Sequence, residues 1–214
     1  FIPLDVSDII FTSDVDSIKY STVALLDAQS LEVLDTKAAL DFDSNIYVSG
    51  ENVYFTRECE RTYRTNEKWY DLCTSDTTDI AILDYSDGKL EYEGTITVKG
   101  SIDNQYNLDE RDGYLRAVTS TRDTYVNNGI LAYTKLKENV SLYVFDLADR
   151  SLAYSVEDFA IEGERATAVR FDGDMLYVCS AEVVSYKDPV YFFDLSDYEN
   201  ITSTDTGIID GFSS

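Results

Sequence analysis

The side chains in this 214-residue chain that could do chemistry are mostly acids, 41 Asp and Glu against 17 Lys and Arg. Asp205-Thr206-Gly207 spells the tripeptide of aspartic proteases. That chemistry needs two such loops face to face, so that two carboxylates share one proton. A single copy is present, which argues against it. Glycoside hydrolysis needs two carboxyls roughly 5 to 9 Å apart. With 41 acids some pair meets that condition by chance, and the sequence nominates none. There is no histidine, so Ser-His-Asp catalysis, Cys-His catalysis and histidine-ligated metals are removed. Asp84-Tyr85-Ser86-Asp87-Gly88 alternates oxygen donors but lacks the rest of an EF-hand loop. No cofactor is therefore expected, with calcium (Ca2+) the one ion left open. No Gly-rich phosphate loop, Gly-x-Ser-x-Gly elbow or basic patch is present.

Cys59 and Cys73 flank the polar, insertion-like segment ECERTYRTNEKWYDLC. A disulfide between them would close a loop of about 15 residues and add roughly 3 kcal/mol in the chain-entropy account. The bridge is expected. Zinc is disfavoured, because only two thiols cluster and no histidine joins them. Cys179, within the apolar run MLYVCS, reads as a buried free thiol. The Cys59–Cys73 segment also carries Tyr63, Trp69 and Tyr70 with Arg61, Arg64 and Lys68, a local positive cluster in an acidic chain. It reads either as an exposed insertion or as a recognition loop. Aromatics and Arg are what interfaces use, and loops on rigid scaffolds carry function. Tyr63, Arg64, Trp69 and Tyr70 are the predicted contact residues.

The net charge of −24 repels a phosphate backbone and an anionic membrane surface, so neither nucleic acid nor a lipid headgroup layer is an expected partner. It suits solubility outside the cell. No charged leader precedes an apolar stretch, and no apolar run approaches the roughly 18 residues of a membrane span. No direct membrane insertion of this segment is expected. The chain begins at Phe1 and reads as a processed piece, with a signal or anchor outside it left open. Asn139-Val140-Ser141 and Asn200-Ile201-Thr202 match the N-glycosylation sequon and are expected to be idle.

The elements that must position these residues are strands. Short runs rich in Val, Ile, Tyr, Phe and Thr alternate with period two, and only two prolines interrupt the chain. Gly50-Glu51-Asn52, Asp87-Gly88, Asp112-Gly113, Asn127-Asn128-Gly129 and Asp172-Gly173 separate them as turns. DAQSLEVLDTKAAL (27–40) is the best helix candidate, and it also reads as a strand followed by a loop. A repeat is more telling. Apolar residues ending in Asp, then a polar turn and a second strand, recur at VALLDAQSLEVLDT, IAILDYSDGKLEYEG, LYVFDLADRSLAYSV and VYFFDLSDYENITST. The marker acids Asp27, Asp84, Asp146 and Asp194 lie 57, 62 and 48 residues apart. A unit of about 50 residues with four strands is the size of a propeller blade. The prediction is an all-β, β-propeller-type chain of about four blades, mostly four-stranded antiparallel sheets, near 1–40, 41–100, 101–160 and 161–214. The first blade starts at SDIIFTS and so lacks its innermost strand, which suits a part of a larger propeller. Its open blade faces would allow self-association. The marker acids are expected to close Asx turns, with a cation-binding ring at one propeller mouth as the alternative.

Several stretches resemble a known family. NQYNLDERDGYLRAVTST, GERATAVRFDGDMLYV, DPVYFFDLSDYEN and DGFSS are similar to segments of the bacterial secreted β-propeller domain family, distant kin of WD-repeat proteins. The similarity runs from Val23 to Ser214 and is most specific from Asn104 onward. Tyr198 and Asp210 stand where the family usually has Pro, both at turns. The resemblance implies secretion or cell-surface display and no enzyme activity. The expected function is therefore a non-catalytic secreted or cell-surface binding or scaffold module for an unknown protein or glycan. A carbohydrate-active or other extracellular enzyme working in the propeller channel is one alternative. A structural spacer domain is the other.

Overall fold

The computed structural model describes residues 4–11, 18–67, 69–127, 133–181 and 189–205. There the chain is all-β. Its strands are β1 (Ile9–Ile10), β2 (Tyr20–Leu26), β3 (Val33–Leu40), β4 (Ile46–Val48), β5 (Asn52–Arg64), β6 (Leu72–Asp84), β7 (Glu91–Lys99), β8 (Leu108–Arg111), β9 (Tyr114–Asn127), β10 (Tyr133–Asp146), β11 (Ser151–Val156), β12 (Arg165–Asp172), β13 (Met175–Ala181), β14 (Val190–Asp194) and β15 (Thr202–Asp205). Two single 3-10 turns, Val6–Asp8 and Gln105–Asn107, are the helical structure of the described residues. None of it is long and apolar enough to cross a membrane.

The helix candidate at 27–40 is a turn followed by β3. Asp27 Oδ1 accepts from the backbone N–H of Gln29 and Ser30, and Leu31 sits at φ +59, which stops a right-handed helix from starting. From Val33 the chain pairs antiparallel with β2, Thr22 opposite Ala38 and Ala24 opposite Thr36. All four marker acids close Asx turns. Asp84 accepts from Ser86 N–H, Asp146 from Ala148 and Asp194 from Ser196, each at 2.8–3.0 Å. The Ser30 N–H holds the Asp27 carboxyl, and the Ser196 hydroxyl together with its N–H holds the Asp194 carboxyl, below the usual carboxylate range.

The predicted runs of four consecutive strands are present. β4 pairs antiparallel with β5, β5 neighbours β6, and β7 pairs with β6. β8 through β11 form an antiparallel meander, as do β12 through β15. The two-residue loop Asp112-Gly113 joins β8 to β9 with both residues at positive φ (+50 and +81), the type I′ geometry that matches strand twist. SDIIFTS, expected to open the first blade, contributes β1, and its Ile9–Ile10 pair runs parallel to β3, with Ile9 opposite Ala38. The connection from β1 to β3 passes through β2, long enough for a parallel pair, and the contact buries Ile10 against Ala39 and Phe42.

The chain divides into two compact units, 1–58 with 78–97, and 59–77 with 98–214. In the first, Ile10, Ala39, Phe42, Val53, Phe55, Ala81, Leu83 and Leu90 form the core. Arg57 is buried there, its guanidinium 2.6 Å from Asp79 and 3.3 Å from Asp41 and lying over the Phe42 ring. In the second, Val118, Val140, Leu142, Val144, Leu176, Val178, Phe193 and Leu195 pack together. Arg116 is buried over the Phe171 ring, bonded to Asp109 and to the Gly173 carbonyl. Each unit thus buries one Arg that meets a carboxylate and an aromatic face at once.

Candidate functional site

The segment expected to be an inserted loop is the tip of a hairpin, strand to Arg64 and again from Leu72 with a turn between. β5 and β6 run 13 residues each, and β9 and β10 run 14 each, well beyond the usual five or six. Their outer ends meet. Leu72, Cys73, Thr74 and Ser75 of β6 pair antiparallel with Val126, Tyr125, Thr124 and Asp123 of β9. A four-stranded sheet β5-β6-β9-β10 results, built from the tips of two hairpins.

Its register follows from the cross-strand partners. Thr62 and Thr74 hydroxyls bond at 2.8 Å, and Thr77 Oγ1 donates to the Cys59 carbonyl. Tyr63 therefore stands opposite Cys73. Continuing across β9 and β10, Cys73 faces Tyr125 and Tyr125 faces Lys135. Tyr63, Cys73, Tyr125 and Lys135 form one row on one face. The next row on that face is Arg61, Ser75, Asp123 and Lys137.

That register also corrects the disulfide. All three cysteines are free thiols. Cys59 lies opposite Thr77 and Cys73 opposite Tyr63, four positions apart along the hairpin. At roughly 3.3 Å per residue this is about 13 Å, whereas a disulfide spans Cα atoms about 4.4 to 6.8 Å apart. Spacing in sequence suggested a closed loop; strand pairing keeps the two thiols apart. Cys179 is free as expected but half-buried, because β13 alternates and its core face belongs to Leu176, Val178 and Ser180.

The second row is a hydrogen-bonded chain. Asp123 is buried and accepts from Ser75 Oγ at 2.5 Å and from Lys99 Nζ at 2.8 Å. Ser75 Oγ also lies 3.2 Å from the Tyr63 hydroxyl. Burial alone would lower the Lys99 ammonium's pKa; the bond to Asp123 and its charge outweigh that and leave it raised. The Cys73 thiol beside Tyr63 pushes that phenol up. Burial, helped by the Asp123 charge, pushes the Tyr125 phenol up as well. Gly100 allows the close approach of this region to β9. It sits at φ +93, and a Cβ there would meet the Ser120 carbonyl oxygen at 2.8 Å.

Above the first row is a recess of about 250 Å³ lined by Glu67, Tyr70, Tyr125, Lys135, Lys137 and Glu162. The Tyr70 ring tilts over Tyr125, with centroids 5.5 Å apart at 56°. Lys135 lies 3.5 Å from Glu162, and the Lys137 ammonium donates to Asp158. The turn between β5 and β6 is pinned to β9. Asp71 N–H donates to the Val126 carbonyl at 3.0 Å, and Asn127 Nδ2 donates to the Trp69 carbonyl. Trp69 is 66% exposed and sits at φ +82, a backbone region that a bulky residue rarely adopts.

Of the four predicted contact residues, the structure brings Tyr63 and Tyr70 to the recess face. Trp69 is at the apex of the turn. Arg64 follows Tyr63 on β5 and so belongs to the opposite face; it makes no ion pair among the described residues. Lys68 lies outside the described residues. Sequence reasoning missed Tyr125, Lys135, Lys137 and Glu162, which come from far along the chain. Asn139 of the first sequon is buried, donating to the Ala160 carbonyl and accepting from Ala160 and Val140 N–H, so it is closed to a glycan. Thr206 and Gly207 of the protease-like tripeptide lie outside the described residues. The described residues contain no group of three or more acids and thiols placed to hold a metal ion.

Comparison with known proteins gives the family and little more. The sequence model of a family described as "Beta propeller domain" matches residues 3–214. An uncharacterized protein of Archaeoglobus fulgidus is 35% identical over 126 residues, 59% of this chain. The match spans 17% of that protein's length. A solved structure of a Synechocystis ACO mutant covers 91% of this chain, and 57% of its own chain is covered, at 10% identity. Its TM-score of 0.29 is too low to bear on fold or function.

Proposed function

Because the chain belongs to the β-propeller domain family, we propose that it is a non-catalytic binding module displayed outside the cell, with its contact surface at the joined hairpin tips. The observation that carries this reading is Trp69. A large aromatic ring held exposed, on a backbone fixed in an unfavourable region by two bonds to β9, adds nothing to the core of either unit. Strain and exposed aromatics of this kind gather where a protein meets a ligand. Trp is among the side chains most enriched where binding energy concentrates, which supports the same surface, whereas Arg64 lies on the opposite face of the sheet. The net charge of −24 directs the module toward proteins or glycans and away from nucleic acid.

The test uses the chain as immobilised bait against proteins and glycans extracted from the source cell surface. Wild type is expected to retain a discrete partner. Trp69→Ala with Tyr70→Ala is expected to lose it with no drop in melting temperature. Equal capture by both baits would remove the hairpin tips from the contact surface.

A further inference from the structure

The recess beside Trp69 has a lining whose charges cancel. Glu67 and Glu162 supply two carboxylates, and Lys135 and Lys137 two ammonium groups. This is unusual in a chain with a net charge of −24. An incoming anion would have to compete with Glu162 for Lys135 and with Asp158 for Lys137. An incoming cation would meet two ammonium groups. A neutral ligand rich in hydroxyls meets neither penalty. It can accept from the lysines, donate to the glutamates, and leave each ion pair hydrated by its own oxygens.

The walls fit the same ligand. Tyr70 and Tyr125 present two rings at 56° to each other, apolar faces beside polar edges. The Tyr125 phenol keeps its proton, since burial raises its pKa, and so can donate as well as accept. The volume of about 250 Å³ lies below the roughly 300–1,000 Å³ of pockets for drug-sized ligands, which limits the occupant to one small ring. Trp69, next in the chain to Tyr70, is 66% exposed.

We infer that the recess formed by Tyr70, Tyr125, Lys135, Lys137, Glu67 and Glu162 is a saccharide subsite that seats one neutral pyranose unit of a longer glycan. This rests on the joined tips being the contact surface and names the chemistry they recognise.

Trp69 is the chain's single tryptophan, so its fluorescence reports on this region alone. The probes are cellotriose, maltotriose, mannotriose and diacetylchitobiose, with a trigalacturonate and a chitosan trimer as anionic and cationic controls. At least one neutral probe is expected to give a saturable change in Trp69 emission, and the charged controls none. Lys135→Ala and Glu162→Gln alter exposed side chains and leave folding intact. Each is expected to weaken that binding about tenfold, as loss of a hydrogen bond to a charged group does. Silence across the neutral probes overturns the inference, as does binding unchanged in both variants. Preference for a charged control overturns it in favour of an ionic ligand. If saccharides fail but surface capture still depends on Trp69 and Tyr70, the subsite falls and the contact surface stands. If capture is indifferent to both residues, the contact surface falls first.

Discussion

The base and the tip of β5 are one continuous strand with two different environments. Its first six residues, Asn52 to Arg57, are buried, and all but one of the remaining seven are exposed. At the base both faces of the sheet are covered, so Val53, Tyr54 and Phe55 can be consecutive apolar residues. At the tip the strand is held by pairing and by polar cross-strand bonds, Thr62 with Thr74 and Tyr63 with Ser75. β9 repeats the contrast, buried through Thr121 apart from its first residue and half-exposed from Thr124 onward. A strand can therefore outgrow its core if a second hairpin supplies the missing hydrogen bonds, and the outgrown part is free to carry ligand chemistry. Stability should reside in the base and binding in the tip.

Phe55→Ala should show the largest effect. Phe55 is fully buried in the first core, and its truncation should cost about 3–5 kcal/mol in urea unfolding. A loss below about 1 kcal/mol would erase the distinction between base and tip. Alkaline pH should give an intermediate effect that arises in the tip. The folded Lys99 keeps a pKa above its ordinary 10.5, and the folded Tyr125 above its ordinary 10.0. Both contributions are complete below about pH 10. Above it the unfolded phenol ionises while the folded one holds its proton, and Lys99 loses its charge only as pH passes its raised folded value. Melting temperature should hold steady from pH 8 to about 10 and then fall, less steeply in Tyr125→Phe. Identical profiles for wild type and variant would show that the tip is not proton-linked. The smallest effect belongs to the Thr62–Thr74 pair. A double-mutant cycle to Ala should give a coupling of about 0.2–1 kcal/mol, the range of one cross-strand pair. A coupling near that of a core contact would mean the tip is structural after all.

Much of this was legible in residue order. Strand runs, Asx turns at Asp27, Asp84, Asp146 and Asp194, and the recurring unit all depend on neighbours within a few positions, where backbone and side-chain chemistry act directly. Even the long hairpins left a trace. The marker spacings of 57 and 62 each enclose one of them, while the spacing of 48 encloses neither. The first excess, between Cys59 and Cys73, read as an inserted loop because its residues are polar, and polarity does not distinguish a loop from a strand exposed on its faces. The helix candidate at 27–40 failed for a related reason: its periodicity was ambiguous, and pairing with β2 decided it.

The sequence by itself determined the all-β class, the blade-sized repeat, the absence of histidine chemistry and the segment holding Tyr63, Trp69 and Tyr70. Only the tertiary structure decided that Cys59 and Cys73 stay apart, that Arg64 belongs to the face opposite Tyr63, and that Tyr125, Lys135, Lys137 and Glu162 complete the recess. Local propensity fixes what a strongly patterned segment becomes. Register, and the meeting of β6 with β9 across some fifty positions of chain, is set by which hydrogen bonds and buried faces are satisfied together, and no local window contains both partners.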